Sequence, residues 1–185
     1  PLVGEALRRK LPHGYEDCDD LVERLIALLG SKEVHLDRRL ELCEAARSVA
    51  GQIAGAANGR VAALLFYLFD SEFAAGNFTD TERLMTEAAL IFEAARDMQN
   101  HSVSLTRLGT YFQDIGNFER ALEFFEKNNR LKEGFYAANP NDEEMKHGLA
   151  ISYERLGDLW RLRGDLDRAL EFFKKRCTIA EELYV

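Results

Sequence analysis

The chain has 185 residues, of which 46% are hydrophobic and 30% are charged, and its formal net charge is −8. This composition is that of an ordinary globular protein and excludes a disordered chain. The excess of acidic residues argues against general binding of nucleic acid, because an acidic surface repels a phosphate backbone.

The first part of the chain predicts helices that are only weakly periodic. Leucines at three- and four-residue steps predict a helix near residues 19–29, and Gly30 predicts a turn before a second helix near residues 35–57. The eight-residue apolar run from Ala62 to Phe69 is too short to cross a membrane, which takes about 20 helical residues. We therefore predict a buried helix there and no membrane association.

A turn is predicted next at Gly76-Asn77-Phe78, and the same three residue types recur 40 positions later at Gly116-Asn117-Phe118. Glycine tolerates the left-handed backbone that ends a helix, and asparagine can cap the helix that follows. We predict degenerate N-terminal helices over residues 1–59 and a degenerate helix-pair repeat over residues 60–100.

The second half of the chain repeats itself with a period of 48 residues. Residues 105–125 and 153–173 share ten identities in 21 positions, among them the glycines of two Leu-Gly pairs and two Phe-Phe pairs. Self-similarity of this kind is typical of a solenoid, in which each unit buries its apolar surface against its neighbours. We predict full repeats at residues 101–138 and 142–185, within one continuous domain over residues 1–185.

Each repeat is predicted to be an antiparallel helix pair closed by a glycine turn. Gly157 lies inside a helix, where glycine costs about 1 kcal/mol relative to alanine. We therefore expect the next helix to approach it closely at Ala169, with Tyr153, Trp160 and Phe173 filling the space around this contact. Gly164 is expected to end the first helix and Asp165 to cap the second. The positions expected to pack the two repeats are Leu108, Gly109, Phe112, Ala121, Phe125, Tyr153, Leu156, Gly157, Trp160, Ala169 and Phe173.

One pattern carries a family resemblance: Tyr153-x-x-Leu156-Gly157-x-x-Trp160, followed by Gly164, Ala169 and Phe173. It resembles the tetratricopeptide repeat (TPR) signature with its two aromatic residues exchanged, and residues 105–125 fit equally well. The period exceeds the family's 34 residues by about 14, or roughly four helical turns shared by both helices. The resemblance is therefore to the long-helix TPRs of kinesin-light-chain-like modules and bacterial signalling proteins. It implies an all-α fold, a right-handed solenoid of stacked antiparallel helix pairs.

No motif for catalysis or metal binding stands out. The isolated histidines are His13, His35, His101 and His147, and no Walker, dinucleotide-binding or G-x-S-x-G pattern occurs. Cys18, Cys43 and Cys177 form no C-x-x-C pair, which favours free thiols in a cytoplasmic compartment, and the last two are predicted to be small apolar fillers. The acidic cluster at residues 16–20 is expected to be a solvated helix N-terminus. We predict no enzyme activity, no cofactor and no metal.

The resemblance implies a concave groove that is lined by the first helix of each pair and holds a peptide. Chaperone-binding TPRs clamp a terminal carboxylate with Lys and Asn, whereas this chain has threonines and acidic residues at such positions. We therefore expect a polar or mildly basic partner. The candidate partner-binding residues are Thr106, Thr110, Gln113, Asp114, Glu154, Arg155, Asp158 and Arg161, and the same face includes Val103, Ile151 and Leu162.

Three functional hypotheses follow from this reading. The leading one is a protein–protein interaction scaffold that binds a peptide or partner protein in the groove. The alternatives are a regulatory or sensor module of a larger bacterial signalling enzyme, such as a caspase-like protease or a nucleotide-driven switch, and a self-assembling structural solenoid.

The last predicted helix leads to a further expectation. The sequence stops at the turn of the repeat register without a polar capping helix, so we expect a fragment of a longer protein and a homodimer through residues 165–185. One part of the apolar stripe of this helix is expected to pack within its own pair and another part to stay open. The stripe comprises Leu166, Leu170, Phe173, Cys177, Ala180 and Tyr184, widened by Phe172, Ile179 and Leu183.

Overall fold

The computed structural model describes residues 59–74, 76 and 78–183, and within them it contains helices and short turns but no strand. The helices are α1 Gly59–Ala74, α2 Phe78–Ala94, α3 Met98–Asp114, α4 Phe118–Ala138, α5 Glu143–Leu162 and α6 Leu166–Glu181. The predicted all-α class is confirmed. The helices predicted near residues 19–29 and 35–57, with the turn at Gly30, lie outside the described residues.

The chain divides into two compact units, residues 1–101 and 102–185. In the first unit, α1 packs against α2, and the ring centroids of Phe66 and Phe92 lie 5.3 Å apart. Thr81 is fully buried in this unit. When Gly76 is aligned with Gly116, Thr81 occupies the position of Ala121 in the next repeat. Its buried apolar side chains include Leu64, Leu65, Leu68, Phe69, Leu84, Met85, Ala88 and Phe92.

The second unit contains two helix pairs, α3 with α4 and α5 with α6, and α4 also packs against α5. α4 has 21 residues and α5 has 20, whereas α3 has 17 and α6 has 16. The extra residues lie at the end of α4 and the start of α5, as the 48-residue period predicts. The buried positions of the repeat pattern are Leu108, Gly109, Phe112, Ala121, Phe125, Tyr153, Leu156, Gly157, Trp160 and Ala169, while Phe173 is half-buried.

The predicted turn chemistry is present. Gly76, Gly116 and Gly164 have φ values of 77°, 78° and 82°, in the left-handed region that disfavours residues with a Cβ. The Asp165 carboxylate accepts a hydrogen bond from the backbone N–H of Arg168 at 3.1 Å, which caps α6. The turns predicted at these glycines and the cap predicted at Asp165 are confirmed.

The close helix contact at Gly157 is present, but its partner differs from the prediction. A Cβ built on Gly157 would lie 2.6 Å from Cε1 of Phe173, and one built on Gly109 would lie 2.5 Å from Cδ1 of Phe125. The expectation that Ala169 approaches Gly157 most closely is wrong. The space left by the missing Cβ is filled by an aromatic ring from the next helix rather than by a small residue.

Candidate partner-binding surface

The predicted faces of α3 and α5 adjoin each other. Arg155 Nη1 on α5 donates a hydrogen bond of 3.3 Å to Thr110 Oγ1 on α3. The same guanidinium lies 6.0 Å from the centroid of the Phe125 ring of α4. The first helices of the two repeats therefore present one continuous surface.

The two threonines of this surface are half-buried and bonded within the fold. Thr106 Oγ1 donates to the Ser102 carbonyl oxygen at 3.0 Å and accepts from Asn128 Nδ2 at 3.0 Å. Thr110 Oγ1 donates to the Thr106 carbonyl oxygen at 3.0 Å. The Thr106 hydroxyl thus links α3 to α4 and the Thr110 hydroxyl links α3 to α5, so both offer little free hydrogen-bonding capacity.

Two of the three acidic residues of the surface, Glu154 and Asp158, have an arginine beside them. Glu154 Oε2 accepts a hydrogen bond of 3.3 Å from Arg176 Nε, and Asp158 Oδ1 accepts one of 3.0 Å from Arg161 Nη2. These pairs are partly exposed, so each contributes little to stability, but each arginine offsets the charge of its carboxylate. The surface is therefore less acidic than its sequence indicates.

The remaining predicted residues lie around these pairs. Gln113 is half-buried near the end of α3, and Asp114 at its last position is exposed. Arg155 Nε is buried and has no hydrogen-bond partner among the described residues. Val103 and Ile151, which are 48 positions apart, are 39% and 40% exposed and give each helix an apolar contact point.

A buried polar ladder behind this surface was missed by sequence reasoning. Ser102 Oγ donates to Asn128 Oδ1 at 2.7 Å, and Ser152 Oγ is 2.8 Å from Asn129 Oδ1. These four side chains are 2–7% exposed and join α3, α4 and α5. The signal that could have revealed the ladder is the Asn128-Asn129 pair inside a helix, since asparagine is a poor helix former and needs another reason to be there.

The ladder continues to a tyrosine with a perturbed pKa. Glu133 Oε1 accepts hydrogen bonds from Asn129 Nδ2 and from the Tyr153 hydroxyl, each at 2.9 Å. Burial, and then the hydrogen bond to Glu133, raises the pKa of Tyr153 above its ordinary value. This tyrosine is a fixed structural donor rather than a proton donor for chemistry at neutral pH.

A second recurring feature explains an identity of the repeat that had no assigned role. The guanidinium of Arg120 lies 4.1 Å from the Phe112 ring centroid, and that of Arg168 lies 4.3 Å from the Trp160 ring. Arg163 lies over the same indole at 4.9 Å. Arginine recurs at this position because its planar cation covers the aromatic residue of the preceding helix.

The described part of the chain contains His101, His147 and Cys177. His101 Nδ1 is 2.9 Å from the Ala89 carbonyl oxygen, and His147 is exposed. The prediction that Cys177 is a buried filler is wrong, because its thiol is exposed on α6. No group of three or more His, Cys, Asp or Glu side chains within residues 59–74, 76 and 78–183 could hold a metal ion.

None of the helices α1 to α6 combines the length and the apolar character that crossing a membrane takes. Cys18, Cys43, His13, His35 and the acidic cluster at residues 16–20 lie outside the described residues.

Comparison with known proteins shows which solved structures have a similar architecture. No protein-family model matches the chain, and no curated protein is significantly similar to it in sequence. BtubC (BKLC) from P. vanneervenii matches with a TM-score of 0.66 at 14% identity, over 91% of this chain and 74% of that one. A kinesin-light-chain protein of Podosopora anserina with nearly identical TPR-like repeats matches with a TM-score of 0.58 at 16% identity, over 97% and 93% of the two chains. MamA matches with a TM-score of 0.51 at 16% identity, over 97% and 95%. The chain therefore has the fold of tetratricopeptide-repeat proteins.

Proposed function

We propose that the chain is a protein-interaction scaffold that binds a peptide segment of a partner protein and carries out no catalysis. The Arg155–Thr110 hydrogen bond supports this proposal most directly, because it joins the outward faces of α3 and α5 into one surface long enough for a peptide. We call this surface the binding face and define it by Val103, Thr106, Thr110, Gln113, Asp114, Ile151, Glu154, Arg155, Asp158, Arg161 and Leu162.

The binding face favours a partner with one apolar anchor and a polar or mildly basic flank. Val103 on α3 and Ile151 on α5 are exposed aliphatic side chains of the binding face. Covering them with a partner gains about 25 cal/mol per Å² of buried apolar area. Toward the C-terminal ends of α3 and α5, Asp114 is exposed, and the negative charge of Asp158 is offset by its ion pair with Arg161. A basic or neutral flank suits this end better than an acidic one.

A regulatory role within a larger signalling enzyme would use the same face and stays a prediction from the sequence. We place the scaffold in the cytoplasm, where its unpaired Cys177 thiol would stay reduced. The third hypothesis, self-assembly, depends on a different helix, α6.

Display selection tests the proposed surface. A random peptide library is selected on the immobilised 185-residue chain, and the binding of recovered peptides is measured by fluorescence anisotropy. We expect Ile151→Asp to weaken binding by about tenfold or more, because it puts a charge where the apolar anchor sits.

The matched control is Ile115→Asp. Ile115 is 42% exposed, almost the same as Ile151, but it lies in the turn after α3 and outside the binding face. This control should bind the selected peptides as the unaltered chain does. Selection of no peptide, or equal loss in both variants, would contradict the proposal.

A further inference from the structure

The last helix of the second unit carries an open apolar seam, which we define as Leu166, Leu170, Phe173, Cys177 and Ala180 on α6. Leu166 is 66% exposed, Leu170 is 52% exposed, and Cys177 is exposed, while Ala180 and Phe173 are half-buried and the Phe173 ring lies against Gly157 of α5. Phe172 and Ile179, which the sequence predicted to widen this stripe, instead pack inside the unit with Leu149, Ala150 and Tyr153. The seam is thus narrower than expected and well defined.

Two of these five positions are buried in the preceding repeat. Phe125 and Asn129 of α4 correspond to Phe173 and Cys177 of α6 in the 48-residue register, and they are only 2% and 7% exposed. Asn129 lies against α5, where Ser152 bonds to it, and the Arg155 guanidinium of α5 lies 6.0 Å from the Phe125 ring. This side of a repeat is therefore the side on which another helix packs.

The α6 seam differs from its α4 counterpart in the chemistry that it offers. Asn129 is replaced by Cys177 and Lys132 by Ala180, so a helix resembling α5 would not find the acceptor that Ser152 uses. What remains is a row of Leu, Leu, Phe, Cys and Ala at alternating steps of four and three residues. That spacing is the a/d spacing of a helix that packs lengthwise against another helix.

The charges beside the seam indicate which helix fits it. Asp167 and Lys174 are both exposed and lie seven residues apart on one edge of the seam. If a second α6 packs antiparallel about a two-fold axis between residues 171 and 172, each Asp167 lies within two residues, about 3 Å along the helix axis, of the level of the partner's Lys174. In the same register Leu170 lies against the partner's Phe173, and Leu166 against the partner's Cys177. The edge is self-complementary in charge only in this antiparallel orientation.

We propose that the seam binds the seam of a second copy of this chain, forming an antiparallel, two-fold symmetric dimer through α6. A standard interface buries about 800 Å² on each partner, and one pair of 16-residue helices buries less. The dimer is therefore weak and concentration-dependent, which suits reversible assembly. The proposal is independent of the peptide-binding face on α3 and α5.

Sedimentation equilibrium of the 185-residue chain over a wide concentration range tests the dimer. We expect a monomer–dimer equilibrium for the unaltered chain. Leu170→Glu should weaken the dimer affinity about a hundredfold. The two-fold symmetry places the substitution in the interface twice, and each copy should cost about tenfold. Leu90→Glu is the matched control, because Leu90 is 61% exposed on α2 and should leave the equilibrium unchanged.

A charge exchange tests the orientation. Asp167→Lys should weaken the dimer, because it sets a lysine against the partner's Lys174, and adding Lys174→Asp should restore it. A dimer that is weakened by the single change and not restored by the second would overturn the antiparallel register.

Cross-linking tests the register directly. In a background with Cys18→Ser and Cys43→Ser, Leu166→Cys should form covalent dimers through the partner's Cys177 under copper phenanthroline. Without Leu166→Cys the two Cys177 thiols are offset by 11 residues, about 16 Å along the helix, which is too far for a disulfide. A chain that stays monomeric at every concentration, or equal weakening by Leu170→Glu and Leu90→Glu, would overturn the proposal.

Discussion

Two glycines inside helices decide how closely the helices of each pair approach. The space of the missing Cβ at Gly157 is filled by the Phe173 ring, and the space at Gly109 by the Phe125 ring. Each glycine costs about 1 kcal/mol of helix propensity, and the burial of an aromatic ring offsets this cost. The two sites are therefore places where the best local helix former would damage the packing.

We predict that Gly157→Ala destabilises the chain by about 1–3 kcal/mol despite the better helix propensity of alanine. The new Cβ would lie 2.6 Å from the ring of Phe173, so the ring or the helix must move. Urea unfolding followed by circular dichroism measures the change.

Gly134→Ala is the matched control for this substitution. Gly134 also lies inside a helix, but a Cβ built there meets nothing within 4 Å, so the change should stabilise by up to about 1 kcal/mol. Adding Phe173→Leu to Gly157→Ala should relieve part of the clash. If both glycine variants are stabilised, Phe173 does not occupy the space beside Gly157.

The helices of the second unit are joined by polar as well as apolar contacts. The ladder of Ser102, Asn128, Asn129 and Ser152 connects α3, α4 and α5 through buried hydrogen bonds. A buried polar group that loses its partner costs about 1–3 kcal/mol, so these side chains fix the register of one helix against the next. The hydrogen bond from Tyr153 to Glu133 extends the same connection between α4 and α5.

That bond predicts a dependence of stability on alkaline pH. Burial and the hydrogen bond to Glu133 raise the pKa of Tyr153 in the folded chain. In the unfolded chain a tyrosine has a pKa of about 10. Above that pH the unfolded chain has lost a proton that the folded chain keeps. The contribution is thus full below about pH 10 and falls as pH rises, by up to about 1.4 kcal/mol per pH unit.

Tyr153→Phe removes this contribution and tests its sign. Urea unfolding of the two proteins from about pH 9 to about pH 11 should show a steeper loss of stability in the unaltered chain. Lysines and the other tyrosines titrate in both proteins, so the difference between the two slopes isolates Tyr153. Identical slopes would mean that Tyr153 titrates alike in the folded and unfolded chains.

The molecule contains two compact units, each with its own apolar core. Phe92 lies in the first core and is 2% exposed, and Phe112 lies in the second and is also 2% exposed. The single tryptophan, Trp160, belongs to the second unit and lies beneath two arginines. Its fluorescence therefore reports on one unit, while circular dichroism reports on all helices.

We predict that Phe92→Ala separates thermal unfolding into two steps. The lost side chain should destabilise the first unit by about 3–5 kcal/mol. The midpoint temperature of part of the circular dichroism transition should therefore fall, while the midpoint of the Trp160 fluorescence transition stays the same. Phe112→Ala is the matched control and should lower the Trp160 transition instead. Equal shifts of both signals in both variants would show that the two units unfold as one.

The helix pairs, their turns and their extra length could be predicted from the sequence because local chemistry dictates them. The glycines at 76, 116 and 164 mark turns through their backbone freedom, and the 48-residue period places the extra turns of α4 and α5. The turn between α2 and α3 is less visible, because Arg96 adopts a φ of 57° where the others have glycine. Backbone preferences of single residues and the sequence repeat are therefore enough to predict most of the helices and turns.

Tertiary contacts decided the rest, because they join residues that are far apart in sequence. No periodicity indicates that the Phe173 ring rather than Ala169 makes the closest contact with Gly157, or that Cys177 is exposed while Ile179 is buried. These outcomes depend on which neighbouring helix covers each side of α6. On the binding face, the sequence supplied the residue types, but only the folded chain pairs Glu154 with Arg176 across two helices and so lowers the net acidity of the surface.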